Sequence, residues 1–111
     1  MIKMPLFYTN EVQYDIADLA SQILIDFGID DSLSFVDYIF QRCDKLATDH
    51  DMYDPTDLIY GGNIIRKLTL SPTLVFYVTL DYGVHILRAL REERDWKVIL
   101  RTQTKYTYDD N

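Results

Sequence analysis

The chain has a single cysteine, Cys43, so it can form no internal disulfide, and it reads as a protein of a reducing compartment. It has no run approaching the ~18 apolar residues that a membrane-spanning helix needs. Lys3 is followed by no long apolar stretch of the kind that makes a secretory signal. A cytoplasmic location away from the membrane is therefore the expectation. Histidine is limited to His50 and His85, and there is no zinc-ligand spacing and no glycine-rich phosphate loop. Positive charge is scarce in the first half: residues 1–61 carry Lys3, Arg42 and Lys45 against twelve Asp and Glu. Across the chain the net charge is −7, a field that repels phosphate and argues against direct nucleic-acid binding. Residues 62–111 reverse the balance, with eight Lys and Arg to six Asp and Glu, so a local positive patch is confined to that half.

What is present suits one packed domain. Of 111 residues, 48% are hydrophobic and 14% aromatic, enough to bury a core. There are no repeats and no linker. Residues 1–101 read as a single domain, and residues 102–111 as a polar, mobile C-terminal tail.

In chain order, residues 2–8 predict an edge strand with Pro5 on its open side. Thr9 or Asn10 then caps a helix whose apolar face runs Val12, Ile16, Leu19, Ala20, Ile23, Leu24 and Phe27, ending at Gly28. Asp30, Asp31 and Ser32 signal a second start, and Val36, Ile39, Phe40, Cys43, Leu46 and Ala47 make its stripe. The short connection predicts an antiparallel helical hairpin. Residues 48–62, with four aspartates, Pro55 and Gly61-Gly62, read as a loop. The D-x-D-x-x-D spacing of Asp49, Asp51 and Asp54 lacks the glycine and the twelfth-position glutamate of a calcium loop, so no metal and no cofactor is expected. Strands follow at 63–70, 73–80 and 84–90. The middle one alternates, with Leu74, Phe76, Val78 and Leu80 on one face and Val75, Tyr77 and Thr79 on the other. A tight turn at Asp81-Tyr82-Gly83 uses Gly83 for positive φ. Residues 91–101 form a last turn or short helix. Grouped helices and grouped strands indicate an α+β fold: an N-terminal strand, a helical hairpin, then a three-stranded antiparallel meander.

Val75-Phe76-Tyr77, the Asp81-Tyr82-Gly83 turn and Ile86 to Trp96 (ILRALREERDW) together resemble the RelE/ParE superfamily of bacterial toxins from type II toxin–antitoxin pairs. The likeness spans roughly residues 5–97 and is ParE-like more than RelE-like. It implies the fold just described, a cognate antitoxin as partner, oligomers formed through that antitoxin, and roles of the plasmid-stabilisation kind. RelE-type members cut messenger RNA on the ribosome with lysines on the first meander strand, an arginine opening the second, another after the last strand and often a C-terminal tyrosine. Here Arg66 and Lys67 match the first requirement, and Arg94 stands in the last turn; these three are the RNA-contacting candidates on that reading. The second strand, however, opens with Thr73-Leu74. Glu93 stands where arginine is common, and Val98-Ile99-Leu100 replaces tyrosine. Carboxylates at Glu92-Glu93 oppose the charge stabilisation that phosphodiester cleavage needs. The resemblance thus implies no catalytic residues and points to a toxin acting by protein contact, as the gyrase poisons of the ParE type do. The alternatives are a ribosome-dependent endoribonuclease with an altered site and a non-toxic acidic scaffold on the same fold.

The candidate partner-binding residues are Tyr77, Arg88, Arg91, Arg94, Asp95, Trp96 and Lys97. Their functional reading is a basic edge that meets the target or an acidic stretch of antitoxin. Each has a structural reading too: Arg88 paired with Asp18 or another helix carboxylate, Arg94 and Asp95 holding the last turn, Trp96 closing the core. Val75, Tyr77 and Ile99, if exposed, would form the docking surface.

Overall fold

A computed structural model describes residues 3–109. The order is β1 (Leu6–Tyr8), α1 (Asn10–Phe27), α2 (Ile29–Asp44), α3 (Leu46–Asp49), β2 (Asp54–Tyr60), β3 (Asn63–Leu70), β4 (Thr73–Leu80), β5 (Gly83–Arg91) and α4 (Trp96–Thr102). The architecture is α+β, with the hairpin and the three meander strands where they were expected. One strand is added. Residues 54–60, expected within a loop, form β2 and pair antiparallel with β3. The polar composition of this stretch hides a strand that lies at the sheet edge and buries only Leu58. The sheet order is β1-β5-β4-β3-β2, with β1 parallel to β5 and every other pair antiparallel.

Backbone geometry at the glycines sets the turns. Gly61 and Gly62 have φ of 61° and 83°, the left-handed pair that a two-residue hairpin between β2 and β3 requires. Gly83 is not among the positive-φ glycines, contrary to expectation. Its lack of a side chain serves close approach: a Cβ there would lie 2.4 Å from the Phe7 ring and 3.0 Å from the Pro5 carbonyl, where β1 joins β5.

Thr9 caps α1, accepting from the Val12 N–H while its own hydroxyl donates to the Leu87 carbonyl. Gly28 both ends α1 and precedes α2, so the second helix starts at Ile29 with no side-chain cap. Ser32, expected as a cap, instead donates to the Ala20 carbonyl and ties the two helices together.

The alternation of β4 divides two cores. Val75, Tyr77, Ile86 and Ala89 face the hairpin and pack with Val12, Ile16, Ile39, Cys43 and Leu46. Phe76, Val78, Leu87 and Leu90 face the other way and pack with Leu58, Leu100 and Tyr106. Tyr106 and Thr107, expected within a mobile tail at 102–111, are packed onto the domain, while residues 110 and 111 lie outside the described residues. Tyr106 is buried and meets Tyr60 edge-on at 5.1 Å. Thr107 accepts from the Asn10 N–H and donates its own N–H and hydroxyl to Glu11, each at 2.8–2.9 Å.

Candidate partner-binding surface

Two of the expected binding residues belong to the interior. Tyr77 has no exposed surface; its ring lies under the hairpin and its hydroxyl donates to the His50 carbonyl. Burial pushes its phenol pKa up. Val75 is buried in the same layer, so the expected sheet-face docking surface of Val75 and Tyr77 does not exist. A central strand between two packed layers has no open face.

Arg88 is the second. Its guanidinium grips Asp15 of α1 with two bonds, Nε at 2.7 Å and Nη2 at 2.9 Å, and donates a third to Gln103 Oε1 at 2.7 Å. Asp15 also accepts the Ala89 N–H. Both side chains are largely buried. The pairing expected with a helix carboxylate is present, but with Asp15 and not with Asp18.

The residues after β5 remain at the surface. Arg91, Arg94, Asp95 and Lys97 are exposed. Arg91 is engaged by Glu93, and Glu92 accepts from the Ser71 hydroxyl at 3.3 Å, so both carboxylates are occupied locally. Asp95 caps α4 by accepting the Val98 N–H. Trp96 packs on Phe76 with centroids 4.9 Å apart, and Lys67 and Lys97 lie over its ring at 5.4 and 5.6 Å. Lys97 also approaches Asp57 of β2 at 4.0 Å. Trp96 is thus half-buried and closes the second core while its edge reaches solvent.

The three RNA-contacting candidates do not converge. Arg66 pairs in register with Tyr77 and donates to the Tyr53 carbonyl on the hairpin side. Lys67, one residue on, projects to the opposite face against Trp96. Arg94 borders a small cleft with Asp15, Asp18 and Leu19.

Sequence reasoning missed an apolar surface on the helical hairpin. Apolar residues at the end of α1 and the start of α2 are left exposed. Phe27 is 72% exposed and Ile25 76%, with Leu24, Ile29 and Leu33 exposed beside them. Phe27 also lines a cleft of about 400 Å³, together with Leu19 and Ile23 of α1, Phe35 of α2, Pro72-Thr73 and Arg91. The signal was available: the apolar stripe of α1 is seven residues long, yet only Val12 and Ile16 are fully buried. The same hairpin is acidic. Glu11, Asp15, Asp18, Asp26, Asp30, Asp31, Asp37 and Asp44 stand against Arg42 alone.

Little else on the molecule suggests chemistry. Cys43 is fully buried, and desolvation pushes its thiol up to about 12, far from a reactive thiolate. Among the described residues no group of three His, Cys, Asp or Glu could hold a metal ion. No helix is long and apolar enough to cross a membrane.

Two groups that contact the C-terminal segment make stability there depend on pH. His85 is buried between Phe7, stacked at 4.9 Å, and Tyr108, whose hydroxyl lies 2.7 Å from Nδ1. Desolvation holds its imidazole below the usual 6.5. Burial works to raise Glu11, but the bonds from Thr107 outweigh it and bring the carboxyl below its usual 4.5. Both groups have lowered folded-state values, so both contribute stability above their unfolded values and lose it as pH falls through the folded ones. Acidification from about pH 7 to about pH 5 should lower Tm and raise proteolysis of the C-terminal segment, the histidine coming first. In His85→Gln the part of the loss that begins near about pH 6.5 should vanish. A Tm profile of His85→Gln parallel to that of the unmodified protein would show that His85 is not the group responsible.

No protein-family model matches the sequence, and no curated protein matches it. The fold does have a counterpart. A chain in the solved structure of the chromosomal ParDE TA system from P. aeruginosa superposes with a TM-score of 0.69 at 20% identity. The match covers 82% of this chain and 98% of that one. At that identity the likeness is one of fold.

Proposed function

We propose that this protein is the toxin of a bacterial toxin–antitoxin pair and that it acts by protein contact rather than by catalysis. The observation that carries the reading is the match in fold, over 82% of this chain, to a chain of a ParDE system, which joins the residue-level resemblance of Ile86 to Trp96. The uncovered apolar cleft under the hairpin agrees with it, because a chain held by an antitoxin must keep a large apolar surface for that partner. The hairpin cleft takes the docking role that Val75 and Tyr77 had been expected to play.

The target we favour is a topoisomerase of the gyrase type, contacted by the exposed turn of Arg91, Arg94 and Lys97. The ribonuclease alternative is weakened by geometry. Cleavage needs several cations around one phosphate, and Arg66, Lys67 and Arg94 occupy three separate places. Glu92 and Glu93 add negative charge beside the last of them.

Induced expression in a bacterial host is the test. Loss of viability with DNA-damage signalling, and inhibition of gyrase supercoiling by the purified protein, are the expected results. Translation arrest with cleaved messages would sink the gyrase reading, and normal growth would leave the acidic scaffold. Arg94→Ala should reduce toxicity by about tenfold or more with Tm unchanged, as loss of an interfacial arginine does. Trp96→Ala is the less clean variant, since the ring packs on Phe76 and its removal disturbs the core.

A further inference from the structure

We propose that the cavity where β3 and β4 meet the 50–53 loop binds a free α-amino acid, with Arg66 taking the carboxylate and Asp51 the ammonium. The inference is independent of the toxin reading, and it gives Arg66 a role that the toxin reading does not.

The cavity holds about 340 Å³ and is lined by Asp51, Gly62, Asn63, Ile64, Arg66 and Thr79. Strand register builds its wall. Ile64 and Arg66 alternate onto one face of β3, and Arg66 stands opposite Tyr77 of β4, with Thr79 two residues further along the same face. This is the hairpin side of the sheet, at the end of β4 remote from Arg91. The rim is held in place. The Tyr77 hydroxyl donates to the His50 carbonyl at 2.9 Å, and Arg66 Nη1 donates to the Tyr53 carbonyl at 2.8 Å, so the 50–53 loop is pinned to the strands that form the wall. Asn63 donates its amide N–H to the Thr79 carbonyl at 2.8 Å, which fixes that side chain and leaves Oδ1 as an acceptor. Gly62 leaves open space where a Cβ would stand, so no side chain of its own fills the mouth.

Charge selects the ligand. A half-buried cation, Arg66, and an exposed anion, Asp51, line one cavity, yet among the described residues they form no ion pair with each other. Asp51 is engaged only by its neighbour His50, at 3.3 Å. A simple anion entering here meets the Asp51 carboxylate, and a simple cation meets the Arg66 guanidinium. A molecule that carries both charges is attracted by both groups. The guanidinium fork suits a carboxylate, and Asp51 with Asn63 Oδ1 offers acceptors to an ammonium. The wall also contains the Thr79 hydroxyl, which is buried with no hydrogen-bond partner among the described residues, an unspent donor of the kind that native proteins rarely leave. The volume lies at the low end of the roughly 300–1,000 Å³ of small-molecule sites, which limits the ligand to a few heavy atoms. Ile64 is the apolar side chain of the lining, so a short aliphatic side chain fits the remaining space.

The test uses the full chain, isotope-labelled, with amide and Arg Nε–H shifts followed by NMR during titration with L-valine, N-acetyl-L-valine and L-valinamide. The second ligand lacks the ammonium and the third lacks the carboxylate. L-Valine should give saturable shifts at Gly62, Asn63 and the Arg66 side chain, and should bind about tenfold or more tighter than either derivative, the loss expected for one charge-assisted contact. Asp51→Asn changes an exposed side chain and should bring L-valine to within about twofold of N-acetyl-L-valine, because the group that reads the ammonium is gone. Arg66→Gln should likewise bring it to the level of L-valinamide. No saturable shift up to about 20 mM, a range that covers weak small-ligand binding, would overturn the proposal. So would equal binding of N-acetyl-L-valine, which would mean that any acid or peptide C-terminus suffices, or equal binding of L-valinamide. Unchanged discrimination in Asp51→Asn would overturn it even if Arg66→Gln fails to fold. A toxic protein that binds none of the three ligands overturns this inference alone, and a harmless protein that selects L-valine overturns the toxin reading alone.

Discussion

Asp15→Ala should destabilise the protein by about 3–5 kcal/mol, among the largest effects of any substitution away from the apolar cores. Among the described residues Asp15 is the only charged group paired with the Arg88 guanidinium, and it also accepts the Ala89 N–H. Truncation strands a largely buried cation and a backbone donor in the layer between α1 and β5. The cost is mainly that of the abandoned charge, and a cycle shows it. Arg88→Met should cost less than Asp15→Ala, and the double variant should cost less than the two added together. Urea melts of the four proteins supply the measurement. Additive losses would mean that the two residues act independently and that the pair does not dock α1 onto the sheet. The result also bears on function. Were Arg88 a partner contact, Arg88→Met would impair binding with stability intact, the opposite of the expectation here.

Removing residues 104–111 should cost about 3–5 kcal/mol, the range for truncating a large buried aromatic. It takes Tyr106 from the second core, where its ring packs with Leu58, Phe76, Leu87 and Leu90 and against Tyr60. It also strips Asn10 and Glu11 of their Thr107 partners at the first turn of α1. Tyr106→Ala should account for most of the loss, and Tyr106→Phe for little, since the hydroxyl is buried without a hydrogen-bond partner among the described residues. A truncated protein with unchanged Tm would show that Tyr106 and Thr107 do not hold the fold and restore the expectation of a mobile tail. Because Gln103 is retained, the Arg88 contact stays intact and the two experiments remain independent.

The two predictions fall where sequence reasoning and structure part company, and for one reason. Periodicity reports which face of an element is apolar, not what covers it. Residues 102–111 are polar on average, and no pattern ties Tyr106 to Leu58 or Tyr60, more than forty positions away. β2 was hidden in the same way: an edge strand that buries one side chain shows no alternation, and its aspartates read as loop. The site followed this pattern. Arg91, Arg94 and Lys97, expected as a basic edge, are exposed, as runs of charge seldom bury. Tyr77 was misplaced because the meander alone does not tell which face the hairpin occupies.

Local chemistry in the sequence was enough for the helical hairpin, the three meander strands, the cap at Thr9, the place of Cys43 on the buried face of its helix and the α+β class, since each depends on neighbours a few positions apart. It also contained an apolar stripe on α1 longer than a core needs and a hairpin with one basic residue. Only the tertiary structure decided that the far end of that stripe is left exposed, that Arg88 belongs to Asp15, and that Arg66, Lys67 and Arg94 never share a site. Those outcomes depend on register and on where one layer stops covering another. Both are set by contacts between residues far apart in the chain, which no local pattern encodes.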